Sequence, residues 1–526
     1  MRSLVLILFL CLFCYAQSSK ILVVYPLYFK SLNILGEGVV RHLLNDGHEV
    51  TFITTHPVKN PAKNLRQIDI SANSVLFDMS TFNIGFRLEN GITSNDHADI
   101  QMLARENAKL TFTNENVTKL LADPKEKFDA VLVDYCESEV YAGLAVLYQS
   151  PMMWVYPLGA HWQVLKLIAE PASPAYDSDY LGYNVPPFTF KQRVEELWTR
   201  IHWTYLKEFY TLPVERQIYE ETFGPLLAKQ GRKLPDYDEV VLNSSMIFGN
   251  EHDANFYRPS TPQNFKYIGG FHVDDPVKPL PKDLKALMDN SKHGVIYFSM
   301  GSFWESKYIP TKLTRGLLDV FAGLKETVIW KYEDDLKDLP KNVHILKWAP
   351  QQSILAHPNC KFFLTHGGLL SSIESIYFGV PIIGIPVFFD QFINMQRAVA
   401  LKYAIQVDLD YDLPKNLKPA INTMLSDDSF RKNVKELSTI YHEAPIKPGP
   451  LLAHWVRHVI RTKGAPHLKS PALTVPLYQL FYLDLVALIA GILFAAFLSL
   501  KVLCKKVTNC KNCKNDSKNT SAKKKQ

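Results

Sequence analysis

Short apolar runs that end in polar residues recur along this chain of 526 residues and limit its fold more than any other feature. In the first half, residues 21–25 form such a run, a helical pattern continues to Asn45, and residues 49–54 form the next run. Residues 130–133 are a third run and lead into Asp134. Short apolar runs separated by helical segments predict buried parallel strands in a β-α-β arrangement.

The pattern starts again in the second half, where further runs are predicted as strands at residues 294–299, 327–331, 343–346, 362–365 and 382–385. The chain length also favours two domains. We therefore predict two α/β units that divide between residues 243 and 269. Because ligands of parallel α/β sheets bind beyond the carboxyl ends of the strands, the cleft between the units is the expected site.

The composition is that of a globular protein, with 47% hydrophobic and 21% charged residues. The formal net charge is +6, but residues 501–526 contain nine Lys and one Asp and therefore carry +8. The other residues sum to −2, which leaves no basic surface for nucleic acid. Of the seven cysteines only Cys136 and Cys360 lie in the body of the chain, so a disulfide scaffold is excluded.

Both ends of the chain predict a membrane topology. Residues 1–18, with a short charged start and an apolar run, have the form of a signal peptide. Residues 483–503 follow a juxtamembrane segment at 466–482, are almost wholly apolar and are long enough to cross a bilayer. The lysines that come next predict a cytosolic tail at residues 504–526, which we expect to be unstructured.

This topology is that of a type I membrane protein whose body lies in the secretory lumen. Asn116 and Asn243 are then in usable glycosylation sequons. Lys523 and Lys524 near the C-terminus resemble a dilysine retrieval signal of the endoplasmic reticulum, and a basic tail held near anionic lipid is the alternative.

Residues 348–391 carry the densest chemical signal in the chain. A predicted strand ends at Thr365, and His366-Gly367-Gly368 leads from it into a helix start near Ser371. Glycines let the backbone approach a ligand closely, and the free amides at a helix N-terminus attract phosphate oxygens. This segment therefore predicts a phosphate-binding turn.

Polar residues at two further positions could bind the ribose and the sugar of a sugar nucleotide. Glu374 lies about one turn into the predicted helix, where its carboxylate could accept hydrogen bonds from ribose hydroxyls. Asp390 and Gln391 follow another strand end and offer acceptors and donors for sugar hydroxyls.

Residues 348–391 resemble the signature of the UDP-glycosyltransferases that act on small lipophilic acceptors. Further matches run across nearly the whole chain, from Gly47-His48-Glu49-Val50-Thr51 to Arg461-Thr462-Lys463-Gly464-Ala465. The resemblance implies an α/β fold of GT-B type, with two Rossmann-like domains, a cleft between them and one C-terminal transmembrane helix. The acceptor-binding domain would cover residues 19–250 and the UDP-sugar-binding domain residues 251–465.

The same resemblance implies roles for the residues that match the family's motifs. Trp348 and Gln351 would face the uracil, Glu374 the ribose, and Asp390 with Gln391 the transferred sugar. The diphosphate would be held by Arg258, Ser302, His366, Ser371 and the amides of Gly367 and Gly368. UDP-sugar is a co-substrate, and neither a metal nor a cofactor is expected, because fixed dipoles and side chains stabilise the leaving diphosphate. Core packing of Trp348 and a surface position for Arg258 are the simpler alternatives.

Leu32 stands where the family has its catalytic histidine. Ser31 precedes it, and the spacing from Leu32 to Gly47 is that of the family. Asp134, which matches the aspartate that pairs with this histidine, is retained at the end of its strand. Three outcomes stay open: Asp134 takes the proton directly or through water, the acceptor needs no base before attack, or chemistry is lost and binding retained.

We therefore expect transfer of glucose, with inversion, from UDP-glucose to a small lipophilic acceptor, as in detoxification or metabolite conjugation. Because Leu32 cannot act as a base, a bias toward amines or unusually acidic acceptors is expected. UDP-glucose is favoured because Leu369-Leu370-Ser371 resembles invertebrate members of the family. The alternatives are a catalytically impaired lumenal binder of UDP-sugar or a lipophilic ligand and, more remotely, a GT-B sugar epimerase. The sequence leaves homo-oligomerisation open.

Overall fold

A computed structural model describes residues 18–77, 83–91, 96–255, 257, 259–302 and 304–523 of the chain. The chain divides into a body that extends to Lys469 and a C-terminal segment that begins at Ser470. The predicted signal peptide, apart from Ser18, lies outside the described residues.

The first half of the body contains a parallel sheet of seven strands: β1 Lys20–Tyr25, β2 Glu49–Thr54, β3 Leu65–Asp69, β4 Ala130–Asp134, β5 Met152–Tyr156, β6 Met246–Gly249 and β7 Phe265–Tyr267. The strand order is β3-β2-β1-β4-β5-β6-β7. The three strands predicted from the sequence are confirmed as β1, β2 and β4, and the other four were not predicted.

The second half contains a parallel sheet of six strands: β8 Val295–Ser299, β9 Thr327–Lys331, β10 Val343–Leu346, β11 Cys360–Thr365, β12 Ile382–Gly384 and β13 Ala404–Gln406. The strand order is β10-β9-β8-β11-β12-β13. All five predicted runs are confirmed as strands, and β13, which was not predicted, lies at the edge of the sheet.

Helices connect the strands in both halves. In the first half they are α1 Lys30–Asn45, α2 Ile84–Glu89, α3 His97–Thr113, α4 Glu115–Ala122, α5 Gly143–Tyr148, α6 Trp162–Lys166, α7 Phe190–Leu206, α8 Leu212–Lys229 and α9 Tyr237–Leu242. In the second half they are α10 Lys282–Asp289, α11 Thr311–Ala322, α12 Gln351–Leu355, α13 Leu369–Phe378, α14 Gln391–Ala400, α15 Leu413–Ser426, α16 Ser429–His442 and α17 Pro448–Arg461.

The central strands of the first sheet are buried on both faces. Leu22 and Val24 of β1 belong to one hydrophobic cluster, while Ile21 and Val23 belong to another. Because neighbouring side chains of a strand point to opposite faces, each face of β1 packs against its own layer of the core. This explains why the sequence reads as a continuous apolar run rather than an alternating one.

Helix α17, the last helix of the body, packs back onto α1 of the first half. Leu452 and Val456 of α17 lie in the same buried cluster as Leu35 and Val39 of α1. The chain therefore returns to its first helix after completing the second sheet, and this contact ties the two halves together.

Replacement of Leu452, which is fully buried, by alanine should lower the free energy of unfolding by about 2–5 kcal/mol, because it leaves a cavity between α17 and α1. His454→Ala on the exposed side of the same helix should change it by less than about 0.5 kcal/mol. Urea unfolding of the purified protein measures both. Equal losses for the two variants would show that α17 does not stabilise the body through this contact.

The C-terminal segment contains α18 Leu477–Leu480 and a long helix, α19 Leu483–Lys523. Residues Leu483–Lys506 of α19 are long and apolar enough to span a membrane, which agrees with the predicted span at 483–503. The expectation of an unstructured tail is wrong, because the helix continues to Lys523. No Gly or Pro follows Gly491, so no residue in the tail strongly disfavours the helix.

Candidate active site

A cavity of about 850 Å³ lies at the carboxyl ends of both sheets. Residues that follow β1, β4 and β5 line it from the first half, and residues that follow β8, β9 and β11 line it from the second. The first-half wall is largely apolar and includes Phe29, Leu32, Ile34, Ile100, Leu103 and Ala104. The structure thus has a cavity where the strand-end rule predicts the site.

The turn between β11 and α13 forms the centre of the second-half wall. Gly367 has a φ of +80°, which favours glycine, and Gly368 caps α13 without any side-chain hydrogen bond. The backbone N–H of Leu369 at the start of α13 donates to the carboxylate of Asp390, and Leu370 and Ser371 of the same first turn line the cavity. Free amides at a helix N-terminus are a binding site for phosphate oxygens.

The His366 ring is packed between two glycines. A Cβ atom added to Gly301 would lie 2.6 Å from the ring, and one added to Gly368 would lie 2.5 Å from Nε2. Burial and the nearby Lys331 lower the pKa of His366 to about 4, so the ring is neutral at pH 7. A neutral ring in this position offers one N–H to an anionic ligand.

Lys331 stands at the carboxyl end of β9 and is fixed by two partners. Its Nζ donates to the carbonyl oxygen of Gly301 at 2.8 Å and to the carboxylate of Glu333. It therefore brings positive charge next to His366 while holding the Gly301 loop in place.

Glu374 is buried at the floor of the cavity and is held by two amide side chains. Gln351 Nε2 donates to Glu374 Oε2 at 2.6 Å, and Gln352 Nε2 donates to Oε1 at 2.9 Å. Gln351 Nε2 also lies 3.2 Å from Ser371 Oγ. His272 Nε2 lies 3.5 Å from Glu374 Oε1 on the remaining side. Together these groups form a preorganised polar cluster of the kind that binds ribose hydroxyls.

Trp348 lines the cavity at its rim. Its side chain is 56% exposed, which excludes the alternative of plain core packing. Lys30 Nζ of the first half lies 3.8 Å from the centroid of its ring. The ring offers a flat apolar face at the place where the family match expects the uracil.

Asp390 and Gln391 lie where the loop after β12 enters α14. Asn394 Nδ2 donates to Asp390 Oδ2 at 2.5 Å, and burial raises the pKa of Asp390 to about 6. The side-chain oxygen of Gln391 accepts from the backbone N–H groups of Val387 at 2.8 Å and Phe388 at 3.1 Å. Gln391 therefore shapes the loop that presents Asp390 to the cavity.

Asp134 is fully buried at the end of β4 and does not line the cavity. Cys136 Sγ donates to Asp134 Oδ2 at 2.7 Å, and Asp134 Oδ1 has no hydrogen-bond partner. Burial raises the pKa of Asp134 to about 7. Leu32, at the start of α1, lines the cavity where the family has its histidine.

The structure brings most of the predicted donor-site residues to this one cavity: Ser302, Trp348, Gln351, His366, Gly368, Ser371, Glu374, Asp390 and Gln391. Gly367 does not line it but sets the turn that does. Arg258 lies outside the described residues. In the described part of the chain no group of three or more His, Cys, Asp or Glu side chains is placed to hold a metal ion, and the metal-independent reaction stays a prediction.

Two cavity residues were missed by the sequence analysis. Lys331 ends β9 and Glu137 follows the end of β4, and both line the cavity. Both lie at the carboxyl ends of strands, where ligands of parallel α/β sheets bind. Their positions relative to the predicted strands could therefore have identified them. Neither belongs to a motif on which the resemblance rested.

Comparison with known proteins agrees with this geometry. The family model described as "UDP-glucoronosyl and UDP-glucosyl transferase" matches residues 19–517. UDP-glucosyltransferase 2 of Dactylopius coccus is 31% identical over 509 residues, which cover 96% of each chain. UDP-glucuronosyltransferase 2B1 of Rattus norvegicus is 26% identical and covers 96% of this chain and 97% of its own.

Solved structures show the same fold at low sequence identity. The calicheamicin glycosyltransferase CalG4 superimposes with a TM-score of 0.55 at 16% identity, over 85% of this chain and 99% of its own. A UDP-glucosyltransferase from Polygonum tinctorium gives a TM-score of 0.54 at 14% identity over the same shares.

The two parallel sheets, with a cavity at their carboxyl ends, have the GT-B fold of the solved glycosyltransferases. More specifically, the chain belongs to the family of UDP-glucuronosyl and UDP-glucosyl transferases, because the family model matches it over nearly its whole length.

Gly368→Ala should weaken the binding of UDP about tenfold or more, since the added methyl group must displace the His366 ring. The backbone φ of Gly368 is −61°, so alanine meets no conformational strain there and the effect is steric. Gly224→Ala is a matched control, because its added Cβ would meet only Leu234 Cδ2 at 3.9 Å. Isothermal titration with UDP measures both, and equal affinities would contradict a role for the His366 packing.

Proposed function

We propose that this transferase moves glucose from UDP-glucose to a small lipophilic acceptor, with inversion at the anomeric carbon. The observation that carries the proposal is that one cavity joins the amides of α13 to an apolar wall from the first half. The amides suit a diphosphate, and the apolar wall suits a lipophilic molecule.

The charges around the cavity favour a neutral sugar. In the part of the wall that the structure describes, the Lys and Arg side chains are Arg41, Lys278 and Lys331. Arg41 and Lys278 pair with Asp274, and Lys331 pairs with Glu333. A glucuronate carboxylate would have to compete with Asp274 or Glu333 for these cations, whereas glucose needs only hydrogen bonds. The name of the relative from Dactylopius coccus, a UDP-glucosyltransferase, agrees with this choice.

We propose that residues of the second half of the body stabilise the leaving group. As the bond between the anomeric carbon and the diphosphate breaks, negative charge grows on the β-phosphate oxygens. The α13 amides, the His366 N–H and Ser302 are fixed beside that charge before the reaction begins. Preorganised donors of this kind stabilise a transition state without a metal ion.

The acceptor side lacks the family's histidine, which sets the expected acceptor chemistry. Leu32 can neither accept nor donate a proton, and Asp134 is capped by Cys136 and does not line the cavity. A neutral amine attacks through its lone pair and loses a proton afterwards, whereas an ordinary alcohol benefits from deprotonation during attack. We therefore propose a preference for amines or acidic hydroxyl groups.

The rival candidate is a protein that binds UDP-sugar and a lipophilic ligand without turnover. The same two observations, Leu32 and the enclosed Asp134, favour it. It differs from the transferase in one measurable respect, because binding alone releases no UDP.

Membranes that contain the protein should form aromatic-amine glucosides from UDP-glucose faster than phenol glucosides. Leu32→His should raise phenol turnover by about 100-fold, because it restores a base at the wall of the cavity. Leu44→His is a matched control, since Leu44 is half-buried on the same helix and does not line the cavity. UDP release and product mass are followed together.

Much faster turnover of simple phenols than of amines by the unaltered protein would refute the acceptor preference. If the unaltered protein forms no product and Leu32→His forms phenol glucosides, the binding candidate is favoured.

We also propose a type I orientation in the endoplasmic reticulum membrane, with α19 as the anchor and the body in the lumen. The apolar part of α19 and the lysines after it support this orientation. The dilysine-like Lys523 and Lys524 would then face the cytosol, and the predicted signal peptide would be removed.

If the body is lumenal, Asn116 and Asn243 should both be glycosylated, since each residue is exposed. Asn116→Gln and Asn243→Gln should each remove one glycosidase-sensitive step of electrophoretic mobility. Asn515→Gln, in a sequon beyond the anchor, is the control and should change nothing. A shift lost only with Asn515→Gln would reverse the proposed orientation.

A further inference from the structure

Glu137 is one of two glutamates on the first-half wall of the cavity, and the other, Glu37, is exposed and accepts from Asn33 Nδ2 at 2.7 Å. Glu137 lies three residues after Asp134, lines the cavity, and is 8% exposed, whereas Asp134 does not line it. The backbone of Glu137 has a φ of +58°, a conformation that residues with a side chain rarely adopt. Such backbone geometry persists only where the surrounding structure enforces it, and it is common at functional sites.

Glu137 lines the same cavity as Phe389 and Asp390 of the loop before α14. The ring of Tyr180 lies 5.1 Å from the ring of Phe389, and burial together with the Glu137 carboxylate raises the pKa of Tyr180. Tyr156 lines the cavity, and burial raises its pKa, with further contributions from Glu137 and Asp390. Glu137, Tyr156 and the residues expected to hold the transferred sugar therefore line one cavity.

The surroundings of Glu137 are buried and of mixed charge. Burial raises the pKa of its carboxyl group to about 7, while His161 and Lys207 act to lower it and Glu139 and Asp179 to raise it. Those four groups are largely engaged with one another. Lys207 Nζ binds Glu139 and lies 2.8 Å from Glu215 Oε2, and His161 Nε2 lies 3.5 Å from Asp179 Oδ2.

A carboxylate with a pKa near the working pH is a better proton acceptor than an ordinary one. The efficiency of a general base is greatest when its pKa lies near the pH at which it works. Leu32 provides no base at the family's position. Among the described residues of the first-half wall, Glu137 both lines the cavity and has a carboxyl pKa near neutral pH.

We propose that Glu137 is the catalytic base of this transferase, in place of the family's histidine. The inference rests on the proposed function and keeps its acceptor preference, because a carboxylate that is only partly ionised near neutral pH assists an ordinary alcohol less than the family's histidine would, whereas amines and acidic hydroxyl groups need less assistance. The acceptor nitrogen or oxygen forms a bond to the anomeric carbon of glucose, the bond to the diphosphate breaks, and its electron pair leaves with UDP. The acceptor's proton passes to a Glu137 oxygen and then to solvent, so that UDP, the glucoside and one proton are the products.

The test compares Glu137→Gln with the unaltered protein on a series of phenols of graded acidity and one aromatic amine, with UDP-glucose as donor. Glutamine keeps the size and hydrogen bonding of the side chain but cannot accept the proton. We expect kcat to fall by about 100-fold for weakly acidic phenols and far less for phenols that are ionised at the assay pH. The KM for UDP-glucose should change less than about threefold, because the donor site is untouched. Glu220→Gln, at an exposed position on α8, should leave every rate unchanged.

The pH dependence gives a second readout that a purely structural role would not produce. For the unaltered protein kcat should fall as the pH drops through about 7, because the protonated carboxyl group cannot accept a proton. Glu137→Gln should lose this step. A uniform loss for all acceptors, or no loss for any, would overturn the base while leaving the transferase intact. Absence of transfer by the unaltered protein to every acceptor would overturn the proposed function and the base together.

Discussion

The packing of the His366 ring between Gly301 and Gly368 is the contact on which the donor site depends. It joins the loop after β8 to the turn after β11, and both loops are possible only because neither glycine carries a side chain. Lys331 braces the first of these loops through the carbonyl oxygen of Gly301. The first turn of α13 is thereby held beside the cavity, where we expect its amides to meet a diphosphate.

Burial determines the protonation of the groups that face one another across the cleft. It lowers the pKa of His366 to about 4 and raises that of Asp390 to about 6 and that of Glu137 to about 7. The donor side therefore offers a neutral ring and fixed dipoles, while the acceptor side offers a carboxyl group that can change its protonation near neutral pH. This division suits a reaction in which negative charge leaves on one side and a proton leaves on the other.

Much of this architecture could be predicted from the sequence, because each buried parallel strand reads as a short apolar run. Of the strands that escaped prediction, β3 is an edge strand with polar residues and β7 and β13 have three residues each, whereas β5 and β6 are buried apolar runs of the expected kind that were missed. The glycine turn between β11 and α13 was predictable because His366-Gly367-Gly368 follows a buried apolar run.

The acceptor side was not predictable to the same degree. The sequence places Asp134 at a strand end, but the Cys136 thiol that caps it depends on the path of the following loop. That loop turns at Glu137, whose backbone is left-handed, and no local sequence pattern predicts this conformation. The helical tail beyond the membrane-spanning part of α19 was missed because a lysine-rich composition suits either a helix or a disordered tail.

The most direct test of this account is a structure of the protein with an unreactive analogue of UDP-glucose bound. The account predicts that the diphosphate lies against His366 and the amides of α13, and that the anomeric carbon of glucose faces Glu137 across an open acceptor space. A diphosphate bound elsewhere, or an anomeric carbon turned away from Glu137, would contradict it.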